Sequence, residues 1–246
     1  MTEKKKEWFS EWFSSPFYHI LYKNRDDREA KFFLSNLLGH LKIPQDAKLL
    51  DVACGSGRHS IFLNKKGYEV EGIDISERNI EMAKEYENEH LRFHIRDMRE
   101  NFKHDYFDYA FNLFTSFGFF KTEEENQKCI TSVADSLKSG GIFVLDFLNP
   151  YRVIHNLVNE EVKTIDDIEF HLTRHFDGES IIKTIKFEAE GEIHEFQERV
   201  KAIRRLSFLE YFRNAHFMLQ QTFGDYELNE YEPETSERMI FIVKKL

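Results

Sequence analysis

Two glycines one residue apart, Gly55 and Gly57, follow the apolar run Leu49-Leu50-Asp51-Val52 and open a helix-like segment. The window from Leu49 to Ser60 reads as a strand, a tight turn and a helix N-terminus. Such a junction brings bare backbone N–H groups and the positive end of a helix dipole to a sheet edge. Glycine lets a ligand approach there without a Cβ in the way. An ordinary strand-to-helix turn looks the same, so the window takes its meaning from its neighbours. Asp74 ends the next apolar run, where a carboxylate can accept two hydrogen bonds from a ribose diol. Both dinucleotides and other nucleoside cofactors satisfy that much. Two residues separate them. Ser60 stands where a dinucleotide turn places a small helix-packing residue, and only partly suits it. Asp51 stands where the dehydrogenase pattern has an apolar residue; its charge would repel a pyrophosphate and favour an ammonium group. The residues point to a cationic nucleoside that carries an amino acid.

Such groups work only if a scaffold brings them together. Strand patterns at 68–74, 91–96, 106–113 and 141–147 follow the first and alternate with helical ones. The helix through Ile61–Leu63 stops at Gly67, and Ser76 caps the helix through Ile80, Met82 and Ala83. Thr122 and Glu125 form a capping-box pattern for a helix through Ile130, Val133 and Leu137, which Gly140-Gly141 should end. Alternation of this kind implies parallel strands with right-handed crossovers, and ligands at the carboxyl ends of the strands. Chemistry is therefore expected at Gly55, Asp74, Asp97 and the 112–118 loop.

Upstream, Asp26-Asp27 supply an N-cap for a helix through Phe32, Phe33, Leu37, Leu38 and Leu41, ended by Ile43-Pro44-Gln45-Asp46. Before it, Trp8, Phe9, Trp12 and Phe13 share one face at helical spacing, with Phe17, Tyr18 and Tyr22 following. That helix either packs on the core or forms a lid whose Tyr18 or Tyr22 hydroxyl meets a ligand. Packing is the commoner use of an aromatic stripe. After Pro150 the texture changes: 162–165, 168–175, 180–189 and 193–203 read as consecutive strands with turns at Gly178 and Gly191, hence antiparallel hairpins. A helix over 206–215 and strands at 217–222 and 238–243 close the chain. The expected organisation is an α/β, Rossmann-like, doubly wound, seven-stranded, mostly parallel sheet with a small antiparallel insertion. Residues 1–160 would form the N-terminal helices and cofactor core, 161–203 the insertion, and 204–246 the completion of the sheet.

The formal charge of -10 opposes the sign that phosphate neutralisation requires, so no nucleic-acid partner is expected. Cys54 and Cys129 are far apart and lack ligand spacing, which argues against a disulfide framework or a metal site. No run is long and apolar enough to span a membrane, and the charged start, Met1 to Glu7, does not resemble a secretory signal. A cytoplasmic protein is the expectation; oligomeric state is not legible.

With these residues in view, the chain from about residue 16 onward resembles the class I S-adenosylmethionine-dependent methyltransferases. The resemblance rests on Asp51-Val-Ala53-Cys-Gly55-Ser-Gly57, on Asp74, on Arg96-Asp97-Met98-Arg99, on Phe111-Asn112-Leu113-Phe114 and on Leu137-Lys-Ser-Gly-Gly141, in order and at suitable spacing. The variants Ala-Cys-Gly-Ser-Gly-Arg-His and Thr-Ser-Phe-Gly-Phe-Phe are most similar to a bacterial small-molecule methyltransferase-like group with an antiparallel insertion after strand five. The resemblance implies S-adenosyl-L-methionine as cofactor. It further implies that Asp51, Ala53, Gly55 and Gly57 surround the amino-acid end, Asp74 holds the ribose and Ile75 packs beside the adenine. Asp97 would accept from the adenine amino group, Met98 would cover the ring, Leu113 and Phe114 would wall the sulfonium, and Tyr22 would orient cofactor or acceptor. The segment after strand four lacks the Asn/Asp-Pro-Pro-aromatic signature of enzymes that methylate DNA-base amino groups. His216 stands after the last helix where the family usually has glycine, which implies a mildly strained left-handed residue.

Methyl transfer to a small-molecule acceptor asks mainly for in-line positioning and desolvation, with a general base only where the acceptor must lose a proton. No such base is legible. His59 reads as a support residue, His171, His175 and His194 as surface or packing residues, Arg25 and Arg58 as ordinary helix arginines, and Cys54 as a small filler. Two alternatives stand beside this reading: a nicotinamide-dependent oxidoreductase, and a non-catalytic binding subunit with a methyltransferase fold.

Overall fold

A computed structural model of the protein describes residues 8–23 and 27–246. Asp26 and Arg25, singled out above, lie outside the described residues. The chain begins with two short helices, α1 (Trp8–Phe13) and α2 (Pro16–Leu21). The single helix expected over the aromatic stripe is thus broken. Ser15 caps α2 by accepting from the Phe17 N–H, and Pro16 at the first helical position cannot continue α1, having no N–H to donate.

The core then runs α3 (Asp27–Leu41), β1 (Lys48–Val52), α4 (Arg58–Lys65), β2 (Glu69–Asp74), α5 (Glu77–Lys84), β3 (Leu91–Ile95), β4 (Phe107–Asn112), α6 (Glu123–Ser136) and β5 (Leu137–Leu148). After α7 (Pro150–His155) come four strands, β6 (Glu160–Ile165), β7 (Ile168–Phe176), β8 (Ser180–Ala189) and β9 (Glu192–Lys201). The chain returns through α8 (Arg205–Asn214), β10 (Phe217–Phe223) and β11 (Arg238–Lys245). The capping box of α6 forms as expected, but the helix ends before the glycines: Leu137 turns extended, and Gly140 and Gly141 fall inside β5. There β5 shifts register against β4, and a Cβ on Gly141 would meet the Lys138 carbonyl oxygen at 2.8 Å. The glycines serve a strand irregularity. The short helix α7, which the sequence pattern did not suggest, starts on Pro150 with the Asn149 side chain accepting from Tyr151 N–H.

The main sheet has seven strands in the order β10-β11-β5-β4-β1-β2-β3, all parallel neighbours except β11, which runs antiparallel to both β5 and β10. Alternate residues of the buried strands feed two cores. Leu50, Leu145, Phe147 and Phe241 face α6 and α8, whereas Leu49, Val70, Val144 and Ile240 face α3, α4 and α5. This is a doubly wound, Rossmann-like arrangement. The second sheet, β6-β7-β8-β9, is antiparallel throughout. Its apolar face does not pack on the main sheet. Phe170, Leu172, Ile185 and Phe187 form a separate core with Trp12 and Leu21 of the N-terminal helices, and Trp12 stacks tilted on Phe196 at 4.6 Å. His216 adopts φ 58° directly after α8, the left-handed geometry its position implied.

Candidate active site

The carboxyl ends of β1, β2, β3 and β4 open into a cavity of about 580 Å³, roofed by α1, α2 and β9. Its floor is the β1–α4 turn. Ala53, Gly55 and Gly57 take φ 58°, 56° and 85° in succession, so the turn consists largely of left-handed residues. Gly57 also caps α4 without any side-chain hydrogen bond. First-turn N–H groups of α4 thus stay available to an anionic ligand.

Asp74 is built into this floor. One carboxylate oxygen accepts from Gly55 N–H at 2.9 Å and the other from Ser76 N–H at 2.8 Å. Burial pushes its carboxyl up from the ordinary value, and those backbone donors oppose the shift. The Asn79 side chain also donates to this carboxylate, and what remains of its roughly four acceptor positions is available to a ligand hydroxyl. Asp51 lies one layer deeper. Its carboxyl is 1 % exposed, accepts from the Ser60 hydroxyl at 2.6 Å and is pushed by burial to about 7.

Of the residues expected at the site, Ala53, Gly55, Asp74, Ile75, Asp97, Met98, Leu113 and Tyr22 line the cavity, whereas Asp51 and Gly57 do not. Gly57 is glycine for a packing reason as well: a Cβ would come within 2.7 Å of the Phe93 ring. Asp97 is held by Arg99, whose Nε and Nη2 donate to its two oxygens at 3.0 and 2.6 Å; the same guanidinium reaches Glu125 at 2.7 Å. The Tyr22 hydroxyl donates to Glu198 Oε1 at 2.6 Å and accepts from Lys183 Nζ at 2.6 Å, and Trp12 Nε1 donates to the same Glu198 oxygen at 2.7 Å. This knot ties both N-terminal helices to the second sheet at the cavity roof. His59 is buried and stacks on Phe114, ring centroids 4.9 Å apart, while His194 packs between Phe17 and Phe187. Cys54 is buried, and a Cβ on Gly72 would meet its sulfur at 2.8 Å, in keeping with a filler role.

The wall after β4 turns sharply at Phe114 (φ 58°) and Thr115 (φ 62°). Two consecutive left-handed side-chain-bearing residues are costly and persist only when the surroundings over-determine them. Here an ion pair with a buried carboxylate does so. Asp146 of β5, fully buried, accepts from Phe114 N–H at 2.8 Å and from Arg238 Nε at 2.8 Å, and Arg238 Nη2 donates to Thr115 Oγ1 at 2.8 Å. Sequence reasoning missed Arg238, Asp146, Glu198 and the placement of His19 at this cavity. A topological signal for Arg238 existed: in a strand antiparallel to its neighbours, the first residue sits at their carboxyl edge. For Glu198, in an alternating strand of a separate sheet, there was none.

Comparison with known proteins gives a concordant picture. A family model described as "Methyltransferase domain" matches residues 43–201. The Bacillus subtilis protein YqeM is 28 % identical over 214 residues, covering 82 % of this chain and 86 % of its own length. A glycine/sarcosine N-methyltransferase of Aphanothece halophytica is 26 % identical over 247 residues, covering 92 % and 85 % respectively. Among solved structures, an S-adenosylmethionine-dependent methyltransferase from Clostridium acetobutylicum superposes with a TM-score of 0.78 at 18 % identity, over 93 % of this chain and 96 % of that one.

Proposed function

The chain belongs to the methyltransferase domain family, and on that footing we propose that it moves a methyl group from S-adenosyl-L-methionine to a small-molecule acceptor, with the following residues in the work. The observation that carries the reading is the cradle at the β1–α4 turn beside Asp74, whose two oxygens are aimed by Gly55 and Ser76 and still able to accept. When bound, the cofactor supplies a sulfonium-activated methyl group. Backbone N–H groups of the Gly55 turn and the first turn of α4 bind the carboxylate of its amino-acid end. Asp74 accepts from the ribose hydroxyls, and Ile75 and Met98 sandwich the adenine. Asp97, kept in place by Arg99, accepts from the adenine amino group. Asp51 acts from beneath, through the Ser60 hydroxyl and its negative potential under the ammonium group. Leu113 and Phe114 form the apolar wall that excludes water from the transferring methyl, and Tyr22 faces the acceptor side.

The acceptor is a small molecule that enters beneath the aromatic roof of Trp8, Phe13 and Phe119. The relative from Aphanothece halophytica methylates an amine by its name, and an amine attacks through its own lone pair once deprotonated, so the transfer itself asks for no proton removal. The organisation that goes with this function is a cofactor core over 1–160 completed by 204–246, with 161–203 as the acceptor-side insertion. The acidic balance of the chain supports a partner other than nucleic acid.

Isothermal titration with S-adenosylhomocysteine tests the cofactor assignment. Binding that NADH does not compete away is expected; absence of heat and of any thermal shift at millimolar ligand refutes it.

A further inference from the structure

The brace at the Phe114 corner does not use up the guanidinium that forms it. Arg238 spends Nε on Asp146 and Nη2 on Thr115 Oγ1, and among the described residues no hydrogen bond engages Nη1. That nitrogen is unpartnered without being buried. The side chain is 18 % exposed, and the space it lines is the cavity. Thr115 lines the same cavity. Its hydroxyl oxygen accepts from Arg238 at 2.8 Å, while its hydroxyl hydrogen has no acceptor among the described residues. Two donors thus stand side by side with nothing to donate to. Arg58 brings a second positive charge to this corner, its guanidinium lying 5.1 Å from the centre of the Phe114 ring. The acidic groups that act on Arg238, Asp146 and Glu29, do not line the cavity. Of the carboxylates that do, Asp97 is held by Arg99 and Glu198 by Tyr22, and Asp74 lies across the site. In a chain of net charge -10, this wall is an exception.

Topology separates this corner from the cofactor. In the sheet order β11-β5-β4-β1-β2-β3, Arg238 on β11 stands three strand spacings, about 14 Å, from the β1 turn. It lies on the side away from Asp74 and Asp97. The cofactor assigned above is laid over β1 to β3, so the group that meets Arg238 belongs to the acceptor. A guanidinium nitrogen and a hydroxyl hydrogen can only donate, and positive charge accompanies them. An oxyanion complements such a pair, because hydrogen bonds between ionised partners are about twice as strong as neutral ones. An ammonium group at the same place would be repelled, and an apolar group would leave both donors unmet.

We propose that Arg238 and Thr115 form an oxyanion subsite for the acceptor, so that the molecule to be methylated carries a carboxylate or phosphate group. That group is held at the corner while the nucleophilic atom faces the wall of Leu113 and Phe114. The subsite presupposes the cofactor assignment above and names the substrate class of the same site. Arg238 is then a specificity residue as well as a brace: it reads the acceptor with the nitrogen that the brace leaves over.

The test is a chemical-shift titration of nitrogen-15-labelled protein, saturated with S-adenosylhomocysteine and held at constant ionic strength. The probes are acetate, inorganic phosphate and acetamide, the neutral counterpart of acetate. Two charge-assisted bonds predict that at least one oxyanion shifts the amides of residues 114–116 with a dissociation constant of about 10 mM or tighter. Acetamide should bind at least about tenfold more weakly. A stronger response to acetate assigns a carboxylate-bearing acceptor, and a stronger response to phosphate a phosphorylated one. Arg238→Gln should bring oxyanion and acetamide within about twofold of each other, and Thr115→Val should reduce the preference about threefold. A corner that is merely loosened weakens both ligands alike and leaves their ratio unchanged. Should Arg238→Gln not fold, wild type and Thr115→Val decide. No oxyanion response at 114–116, acetamide bound as tightly as the oxyanions, or an unaltered ratio in the folded variants would overturn the proposal. If wild type does not bind S-adenosylhomocysteine, the cofactor assignment falls and the acceptor subsite with it; cofactor binding without an oxyanion response sinks this inference alone.

Discussion

At the scale of single residues, the two aspartates of the floor do different jobs: Asp51 is buried, whereas Asp74 is half-buried and lines the cavity. Asp74 presents its oxygens to the cavity, and its replacement removes acceptors from ligand hydroxyls that have no other partner of that strength. Asp74→Ala should weaken S-adenosylhomocysteine binding by about 10- to 100-fold, corresponding to the 1–3 kcal/mol of a buried unsatisfied group; unchanged affinity in titration would show that the ribose lies elsewhere. Asp51 does not line the cavity and should be felt in stability. Its carboxyl titrates at about 7 in the folded chain, against an ordinary value near 3.8. The folded state therefore binds more protons than the unfolded state between these values, and the contribution of Asp51 to stability falls as pH rises from about 4 to about 7. Asn keeps an acceptor for Ser60 and carries no charge. Asp51→Asn should flatten that part of the pH profile in urea unfolding, and an identical slope in the variant would contradict the burial argument. The glycine turn and Asp74 were legible in the chain because each is a local requirement: left-handed backbone at a strand-helix junction, and a carboxylate at a strand end. Whether Asp51 touches the cavity or lies beneath it depends on the packing of α4, which no local pattern specifies.

At the scale of elements, the notable feature is the brace between strands and loop. The corner at Phe114 and Thr115 is held from β5 by Asp146 and from β11 by Arg238. Removing Asp146 strands the partly exposed Arg238 guanidinium and leaves Phe114 N–H without its acceptor, whereas removing Arg238 leaves the buried Asp146 charge without its ion partner. Asp146→Ala should cost about 1.5–3 kcal/mol, the range for hydrogen bonds to a charged group, because the Arg238 left behind is partly exposed at the cavity, read as a lowered urea midpoint. Arg238→Lys keeps the charge but offers no planar fork to span Asp146 and Thr115, so a smaller loss is expected together with faster amide exchange at 114–116. Unaltered exchange there would mean that the corner holds itself. The same comparison shows where element boundaries escaped the sequence. Pro16 split the aromatic helix and a register shift drew Gly140 and Gly141 into β5; in both places a local signal was present but its consequence depended on a partner strand or cap.

At the scale of the whole molecule, the N-terminal helices and the antiparallel sheet form one body over the mouth of a site built by the other sheet. Trp12, Tyr22, Lys183 and Glu198 knit that body together, and Ser14 docks it on the cap of α5. Ligand binding under such a roof should propagate to it: saturation with S-adenosylhomocysteine is expected to slow amide exchange in residues 8–23 as well as in the β1–α4 turn. Protection confined to the turn would argue that the roof serves the acceptor only. Among the described residues no helix is long and apolar enough to cross a membrane. The sequence by itself determined the alternating α/β core, the glycine turn, the carboxylates near the strand ends and an antiparallel insertion of three or four strands, because each follows from short-range rules: a period of two or 3.6, a cap, a glycine where φ is positive. Only the tertiary structure decided which residues roof the cavity. His19, Glu198 and Arg238 come from a short helix, a strand of a second sheet and the antiparallel strand of the first. Their meeting depends on how separately formed surfaces bury one another, and long-range packing leaves no mark on neighbouring residues in the chain.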